Sequence, residues 1–284
     1  MVTLFAYLDE ICRMEEASPL DLIVFPEYTL QRDNEGTAAE LALTWEGSWV
    51  ERLGDYARKL NAYLVVPLIL NEPEGPTNSA VLIDRRGVLI GIYRKVNPVV
   101  DEDDDLERGI KPGRDYPVFE CDFGRIGILI CWDMAYPDAW ASLAMQGAEL
   151  ILLPSASPQT VRPAAFAMLH RCPVLTSCPR DNVTLFSPIG TVMASMTDVG
   201  VMTCEIDLSY ALLHWSASLR EGQALRDRYG DAIGFSYSVR EDTGVFWSND
   251  ISRSIAGMCR ELGLVEMDYT IGHTRMVRRD KHGF

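Results

Sequence analysis

Three short apolar runs in this chain, at residues 22–25, 88–93 and 126–130, each lead to a side chain that can do chemistry. Runs of this length that are rich in leucine, isoleucine and valine are typical of buried strands. The side chains that follow them are a carboxylate, an ammonium and a thiol: Glu27, Lys95 and Cys131. A base, a cation and a nucleophile are sufficient for covalent acyl transfer without a metal. We therefore expect a fold in which three strand ends converge.

Strand-like and helix-like segments alternate along the chain. Apolar residues have helical spacing at Thr3–Met14, Thr37–Leu60, Tyr136–Gly147 and Ala164–His170. Further strands are predicted at residues 64–70, 78–84, 150–153, 174–177, 183–186 and 201–206. The alternation predicts an α/β layered fold. No low-complexity linker divides the chain, so we predict one domain over residues 1–284, with a core at roughly 4–225 and a polar tail at roughly 229–284.

Composition excludes several classes of function. The formal net charge of −15 disfavours nucleic acid and anionic membranes as partners, because both require basic patches. No apolar run reaches the roughly 18 residues of a membrane span, and the N-terminus does not have the pattern of a signal peptide. The seven cysteines are widely spaced and include no Cys-x-x-Cys pair, which favours reduced thiols in a cytoplasmic protein.

Several motifs, taken in order, resemble the nitrilase superfamily, the carbon–nitrogen hydrolases. The matching pieces are Phe25-Pro26-Glu27, Asn78-Ser79-Ala80, Tyr93-Arg94-Lys95, Pro112-Gly113, residues 127–133 and Leu152-Leu153-Pro154-Ser155. The resemblance implies a four-layer α-β-β-α sandwich that assembles into a homodimer or a larger homo-oligomer. It also implies hydrolysis of a non-peptide carbon–nitrogen bond in a small molecule, without a cofactor.

The resemblance implies that three residues are catalytic. Cys131 would attack the carbon of the carbon–nitrogen bond and form a thioester. Glu27 would take the thiol proton, return it to the leaving amine and then activate the water that releases the acid. Lys95 would stabilise the oxyanion together with the backbone N–H of Trp132.

Four further residues are candidates for supporting roles. Glu107 matches the second glutamate that the family places ahead of its Pro-Gly pair, although the spacing here is one residue shorter. We expect Trp132 to form a pocket wall and Asp133 to hold its own turn by accepting backbone N–H bonds. The stretch from the cysteine to Tyr136 is more similar to amidases and N-carbamoyl-amine hydrolases than to true nitrilases. The resemblance therefore implies a small linear amide or an N-carbamoyl amine as substrate.

An acidic run at residues 101–105 invites comparison with a calcium-binding loop. Asp101, Asp103 and Asp105 fit the first three positions of an EF-hand, but Leu106 replaces the required glycine and Pro112 the bidentate glutamate. We therefore expect a solvated loop and no metal. Such a loop is either an ordinary surface feature or part of a pocket rim that attracts amine-bearing substrates.

The chain departs from the family pattern in three places. The family begins with a strand ahead of the first helix, whereas this sequence starts at the helix, so either the start is truncated or the sheet lacks its first strand. The helix at residues 166–173 does not carry the usual Arg-Ala-x-Glu-Asn pattern, and the later glycine signals shrink to Ser187-Pro188-Ile189-Gly190. We expect these changes to affect the pocket floor more than the three catalytic candidates.

Four other functions stay open at this point. A papain-like thiol enzyme would pair Cys131 with His170, but it leaves Glu27 and Lys95 unexplained. A non-catalytic member of the same fold would act as a binding or scaffold subunit. A nitrilase or an acyl transferase to an amine would use the same thioester step.

Overall fold

The structure of the protein is a computed structural model that describes residues 2–14, 19–32, 34–180 and 182–283. Internal contacts divide it into two compact units, Met1–Cys204 and Glu205–Phe284. The single domain predicted for residues 1–284 stays a prediction. All three catalytic candidates belong to the larger unit.

Four strands form the first sheet of the larger unit, in the spatial order β1-β2-β3-β4. They are Leu22–Val24 (β1), Tyr63–Glu72 (β2), Gly75–Ile83 (β3) and Leu89–Arg94 (β4). β1 and β2 are parallel, and the other two pairs are antiparallel. β3 and β4 form a hairpin, in which the Asp84 carboxylate accepts the N–H groups of Arg86 and Val88, each at 2.9 Å. The hairpin brings the end of β4 next to the middle of β3.

Three helices accompany this sheet: α1 Val2–Met14, α2 Ala38–Leu41 and α3 Ser48–Leu60. α1 and α3 pack with β2 in one apolar cluster, in which Leu8, Leu53 and Leu64 are fully buried. The single helix predicted at residues 37–60 is wrong, because the chain between α2 and α3 runs extended beside β2. There Leu43 donates its N–H to the carbonyl of Ile69 at 3.0 Å, a pairing that a continuous helix would forbid.

Six strands form the second sheet, in the spatial order β10-β9-β8-β7-β6-β5. They are Val118–Cys121 (β5), Gly124–Ile128 (β6), Leu150–Pro154 (β7), Val174–Ser177 (β8), Val183–Phe186 (β9) and Val192–Met196 (β10). The central strands β6, β7 and β8 are parallel. The connections between them are the helices α4 Pro137–Met145 and α5 Val161–His170. Because parallel strands require such crossovers, the two predicted helices lie where the pattern placed them.

The two sheets face each other between the helix layers. Gly91 of β4 lies so close to Phe119 of β5 that a β-carbon there would be 2.3 Å from the phenyl ring. Ser177 of β8 donates its hydroxyl to the carbonyl of Val24 at 3.0 Å. The first eight residues of β2 are all buried, as expected for a strand with a helix layer on one face and a sheet on the other. The predicted α-β-β-α sandwich is confirmed.

The smaller unit has a three-stranded antiparallel sheet of its own, in the order β11-β13-β12. Its elements are β11 Ala211–His214, α6 Gln223–Tyr229, β12 Ile233–Ser238, β13 Thr243–Ser248, α7 Ile255–Glu261 and α8 Met267–His282. The predicted polar tail therefore contains regular structure. Its strand signal is weak because Gly234 and Gly244 occupy strand positions, where neighbouring aromatic rings cover them.

The strand predicted at residues 201–206 is wrong, because that segment has no regular structure. It lies where the chain passes from one compact unit to the other. β10, which no prediction covered, lies nine residues earlier at the edge of the second sheet and is partly exposed. Within the described ranges, no helix has the length and apolarity needed to cross a membrane.

Candidate active site

Glu27 and Lys95 meet at the ends of two strands of the first sheet. Glu27 begins the turn that follows β1, and Lys95 follows β4 directly, with its N–H donated to the carbonyl of Asn78 at 2.8 Å. The Lys95 Nζ lies 2.9 Å from the Glu27 Oε1. Both residues are 1% exposed, so this is an ion pair removed from solvent. Buried charges of this kind persist only when they are paired and hydrogen-bonded.

Cys131 is presented from the second sheet. It follows β6 and opens a short 3₁₀-helix, Cys131–Ala135, with a left-handed φ of 46°. A left-handed conformation costs a residue with a β-carbon about 1–2 kcal/mol, and such strain is concentrated at functional sites. Ser155 and the backbone of Ala156 act on the thiol in the direction that lowers its pKa, so both belong to its surroundings. The Ala156 N–H donates to the Glu27 Oε2 at 3.0 Å, which ties the segment after β7 to the carboxylate.

The turn that carries the thiol is held by Asp133, which is fully buried. Its carboxylate accepts the N–H of Ile130 at 2.9 Å, the kind of bond that we predicted for it. It also accepts the backbone N–H and side-chain amide of Asn97, at 2.9 and 3.0 Å, and the hydroxyl of Tyr93 at 2.6 Å. The turn is therefore tied to the end of β4 as well as to its own strand.

Glu107 is the second carboxylate partner of Lys95. Its Oε1 is 2.5 Å from the lysine Nζ and accepts the N–H of Val99 at 2.9 Å. Its Oε2 accepts the hydroxyl of Tyr28 at 2.5 Å. The unusual spacing in the sequence does not keep Glu107 away, because its own φ of 45° turns the loop towards the lysine.

The charges of the site determine its resting protonation. Burial acts to lower the pKa of Lys95, but Glu27 and Glu107 outweigh it and raise that pKa above its ordinary value. Burial also raises the pKa of Glu107, and there Lys95 outweighs burial, so the net shift is downward. Burial, followed by the charge of Glu27, raises the pKa of Cys131 to about 11 against the opposing effect of Lys95. At neutral pH the resting site holds a charged ammonium and a protonated thiol.

Three residues of the site were not singled out by the sequence. Asn78 is fully buried and donates its side-chain amide to Glu27 at 2.9 Å and to Glu107 at 3.0 Å. It was visible only as part of a matching motif. Tyr28 could have been suspected because it directly follows Glu27, and Ala156 had no signal at all because its backbone N–H is what acts.

Two other predicted residues, Trp132 and Tyr136, take part in contacts of their own. Trp132 is half-buried beneath Arg162, whose guanidinium carbon lies 5.9 Å from the ring centroid. Tyr136 is 37% exposed just before α4, and in the described part of the chain no hydrogen bond joins it to Glu27, Lys95 or Cys131.

His170, the base of the papain-like alternative, is at the end of α5. Its ring stacks on Phe166, with 6.0 Å between the centroids. The charges that act on the Cys131 thiol are those of Glu27 and Lys95. The geometry therefore favours a carboxylate base over an imidazole.

The acidic loop is ordered by its own backbone. The Asp101 carboxylate accepts the N–H groups of Asp103, Asp105 and Arg108 at 3.0–3.1 Å. Among the described residues, no group of three or more His, Cys, Asp or Glu side chains is arranged to hold a metal ion. The loop leads into Glu107, so its order supports the position of that carboxylate.

Comparison with known proteins identifies the family. The profile described as carbon-nitrogen hydrolase matches residues 5–211, well over half of the chain. The chain therefore belongs to the carbon–nitrogen hydrolase family, and the predicted resemblance is confirmed.

The curated relatives have several names. A probable nitrilase of Schizosaccharomyces pombe is 31% identical over 52% of this chain and 54% of its own length. An omega-amidase of Xenopus tropicalis is 26% identical over 79% of this chain and 82% of its own length. An N-carbamoylputrescine amidase of Solanum lycopersicum is 30% identical over 38% of this chain and 36% of its own length. The chain spans about half the length of the first curated relatives that it matches.

Solved structures agree on the fold. Nit3 of Saccharomyces cerevisiae, a member of branch 10 of the nitrilase superfamily, has a TM-score of 0.57 at 20% identity. The match covers 69% of this chain and 82% of that chain. An amidase from Nesterenkonia sp. has a TM-score of 0.55 at 21% identity, over 69% and 81% of the two chains.

Proposed function

We propose that the protein is a cysteine-dependent hydrolase of non-peptide carbon–nitrogen bonds, acting on a small linear amide or an N-carbamoyl amine. The observation that carries this proposal is the buried cluster in which Lys95 lies between Glu27 and Glu107, beside the strained Cys131. Membership of the family supports it, as do the relatives named omega-amidase and N-carbamoylputrescine amidase.

The first half of the reaction forms a thioester. The Cys131 sulfur bonds to the carbonyl carbon of the substrate while Glu27 takes the thiol proton. Lys95 and the backbone N–H of Trp132 stabilise the negative charge that develops on the carbonyl oxygen. The carbon–nitrogen bond then breaks, and Glu27 gives its proton to the leaving ammonia or amine.

The second half releases the acid. Glu27 takes a proton from a water molecule, whose oxygen attacks the thioester carbon. The carbon–sulfur bond breaks, and the proton returns to Cys131. The enzyme regains its resting state, so the net reaction consumes one water and needs no cofactor.

The resting thiol explains why a base must take part. With a pKa of about 11, only about one Cys131 in ten thousand is a thiolate at pH 7. Attack by a preformed thiolate would therefore be slow. Glu27, whose charge acts on the thiol, can accept the proton as the new bond forms.

We further propose that the protein is a homodimer or a larger homo-oligomer in the cytoplasm. Helix α5 exposes Val161, Met168 and Leu169, and large apolar side chains grouped on one helix are usually covered by a partner. None of the seven cysteines forms a disulfide in the structure, as expected in a reducing compartment.

The test is an ammonia-release screen of linear amides, N-carbamoyl amines, N-carbamoyl amino acids and nitriles, with Cys131→Ala as the blank. Release from amides or carbamoyl amines that the blank does not show supports the proposal. Consumption of nitriles alone would instead indicate a nitrilase. Pairing each amide with amine-bearing and carboxylate-bearing analogues tests whether the acidic loop selects cationic substrates.

Acrylamide provides a second readout. In a variant of the amidase from Nesterenkonia sp. AN1, acrylamide adds to the active-site cysteine. The same adduct on Cys131 here, located by mass spectrometry, would show a reactive thiol even before a substrate is known. A folded protein that consumes nothing and carries no adduct on Cys131 would point to the non-catalytic alternative.

A further inference from the structure

Two residues outside the proposed catalytic set converge on one oxygen of Glu107. The Tyr28 hydroxyl donates to the Oε2 at 2.5 Å, and the Asn78 side-chain amide donates to the same oxygen at 3.0 Å. The other oxygen receives the Lys95 ammonium and the Val99 N–H. Four donors thus hold a carboxylate that takes no proton in the proposed reaction.

The orientation of the Asn78 side chain leaves one of its own polar atoms unpaired. Its two N–H bonds point at Glu27 and Glu107, and its Oδ1 is buried without a hydrogen-bond partner among the described residues. An unpaired buried acceptor is unfavourable, and native structures keep few of them. The orientation of this amide is therefore dictated by the two carboxylates.

Tyr28 has an unfavourable backbone conformation. Its φ of 56° is in the left-handed region, which is unusual for a bulky side chain. Burial, followed by the charges of Glu107 and Glu27, raises its pKa well above the ordinary value for tyrosine. The hydroxyl therefore keeps its proton and acts as a donor to the carboxylate throughout the working range of pH.

We propose that Tyr28 and Asn78 are positioning residues that keep Glu107 anionic, so that Lys95 is shared by two carboxylates. The inference rests on the proposed function, because it concerns the strength of Glu27 as a base. Two buried carboxylates repel, and without enough donors one of them takes up a proton. A protonated Glu107 would leave Lys95 paired with Glu27 alone, which would weaken Glu27 as a proton acceptor for Cys131.

Removing a donor from Glu107 disfavours its anion, so the carboxylate takes up a proton at a higher pH. The acidic limb of the pH profile, which is the fall in kcat/KM as the pH decreases, then moves to higher pH. The groups that titrate or carry charge around it are Glu27, Tyr28, Lys95 and Cys131, so the limb belongs to this coupled set.

The test compares Tyr28→Phe and Asn78→Ser with Tyr56→Phe. Tyr56 is a matched control, because its hydroxyl also donates to a carboxylate, that of Asp9, in a bond between α3 and α1 that involves no residue of the candidate site. The readouts are the pH dependence of kcat/KM on an amide found in the screen and the pH dependence of Cys131 alkylation by iodoacetamide. The second needs no substrate.

We expect the acidic limb to rise by about one pH unit in Tyr28→Phe and Asn78→Ser, a tenfold loss of rate below the limb. Tyr56→Phe should keep the wild-type limb. A loss that is uniform across pH, or an unmoved limb in folded variants, would overturn the positioning role while leaving the proposed function intact. A wild-type protein without hydrolysis and without a base-assisted limb would instead refute the function on which the inference rests.

Discussion

Asp133→Ala is expected to be among the most damaging changes that leave the three catalytic candidates in place. The buried carboxylate accepts four hydrogen bonds, from Ile130, Tyr93 and both nitrogens of Asn97. Bonds to a charged group contribute about 1.5–3 kcal/mol each, but they are not additive, because the donors partly reorganise when the acceptor is lost. Losing the acceptor leaves buried donors without a partner, at about 1–3 kcal/mol each, so we expect a total loss of about 3–5 kcal/mol.

For a unit of this size, that loss corresponds to a decrease in Tm of about 6–20 °C, at about 2–4 °C per kcal/mol. Thermal unfolding followed by circular dichroism measures it. Asp133→Asn should fall between the wild type and the alanine variant, because it retains one acceptor oxygen. Asp133→Ala should also lose acrylamide labelling at Cys131 at temperatures below its Tm, because the turn no longer fixes the left-handed backbone conformation of that residue.

Asp101→Ala is the control for this experiment. Asp101 also accepts three backbone N–H bonds, but it does so in a solvent-accessible loop, where water replaces the lost acceptor. It should lower the Tm much less than Asp133→Ala does. If the two variants unfold at the same temperature, or if Asp133→Ala unfolds within about 2 °C of the wild type, the assigned role of the buried carboxylate is wrong.

Three further outcomes are expected. Cys131→Ala and Glu27→Gln should abolish ammonia release without loss of fold. Lys95→Ala should also destabilise the protein by about 3–5 kcal/mol, because it leaves two buried carboxylates without their cation. Calorimetry of the three variants measures the difference in stability. The rate at which iodoacetamide alkylates Cys131 should be nearly constant around neutral pH in the wild type. In Glu27→Gln, where only free thiolate reacts, the rate should rise about tenfold per pH unit. The same pH dependence in both proteins would contradict the role of Glu27 as a base. Light scattering should show at least a dimer, and Leu169→Glu should weaken it; a monomeric wild type at micromolar concentration would remove the basis for that expectation.

The positions of Glu27, Lys95 and Cys131 could be predicted because each follows a short apolar run with the length and the branched residues typical of a strand. The run before Lys95 differs from the prediction in its burial, because Val88 and Ile90 are exposed. Local pattern was enough to locate the ends of β1, β4 and β6. Their convergence was predicted from the chemistry and from the family resemblance, since strand ends alone do not reveal which sheets face each other.

Other features depend on tertiary contacts that no local pattern carries. The helix at residues 37–60 has good periodicity, yet pairing of Leu43 with β2 breaks it. The strands of the smaller unit are hidden because glycines sit beneath aromatic rings. Glu107 was found by its place ahead of Pro-Gly. The donors Tyr28 and Asn78 come from segments far from it in the sequence, so their bonds to Glu107 emerged only from the structure.

The division of the site between the two sheets has a consequence for the folding chain. Glu27 and Lys95 belong to the first sheet, whereas Cys131 and Ala156 belong to the second. Neither sheet alone contains both the thiol and the carboxylate that the proposed reaction needs. A chain in which only one layer has formed lacks the burial and the Glu27 charge that raise the pKa of Cys131, and it also lacks a carboxylate beside the thiol. Base-assisted attack by Cys131 therefore requires both sheets to be in place, so it is a property of the packed sandwich and of neither layer by itself.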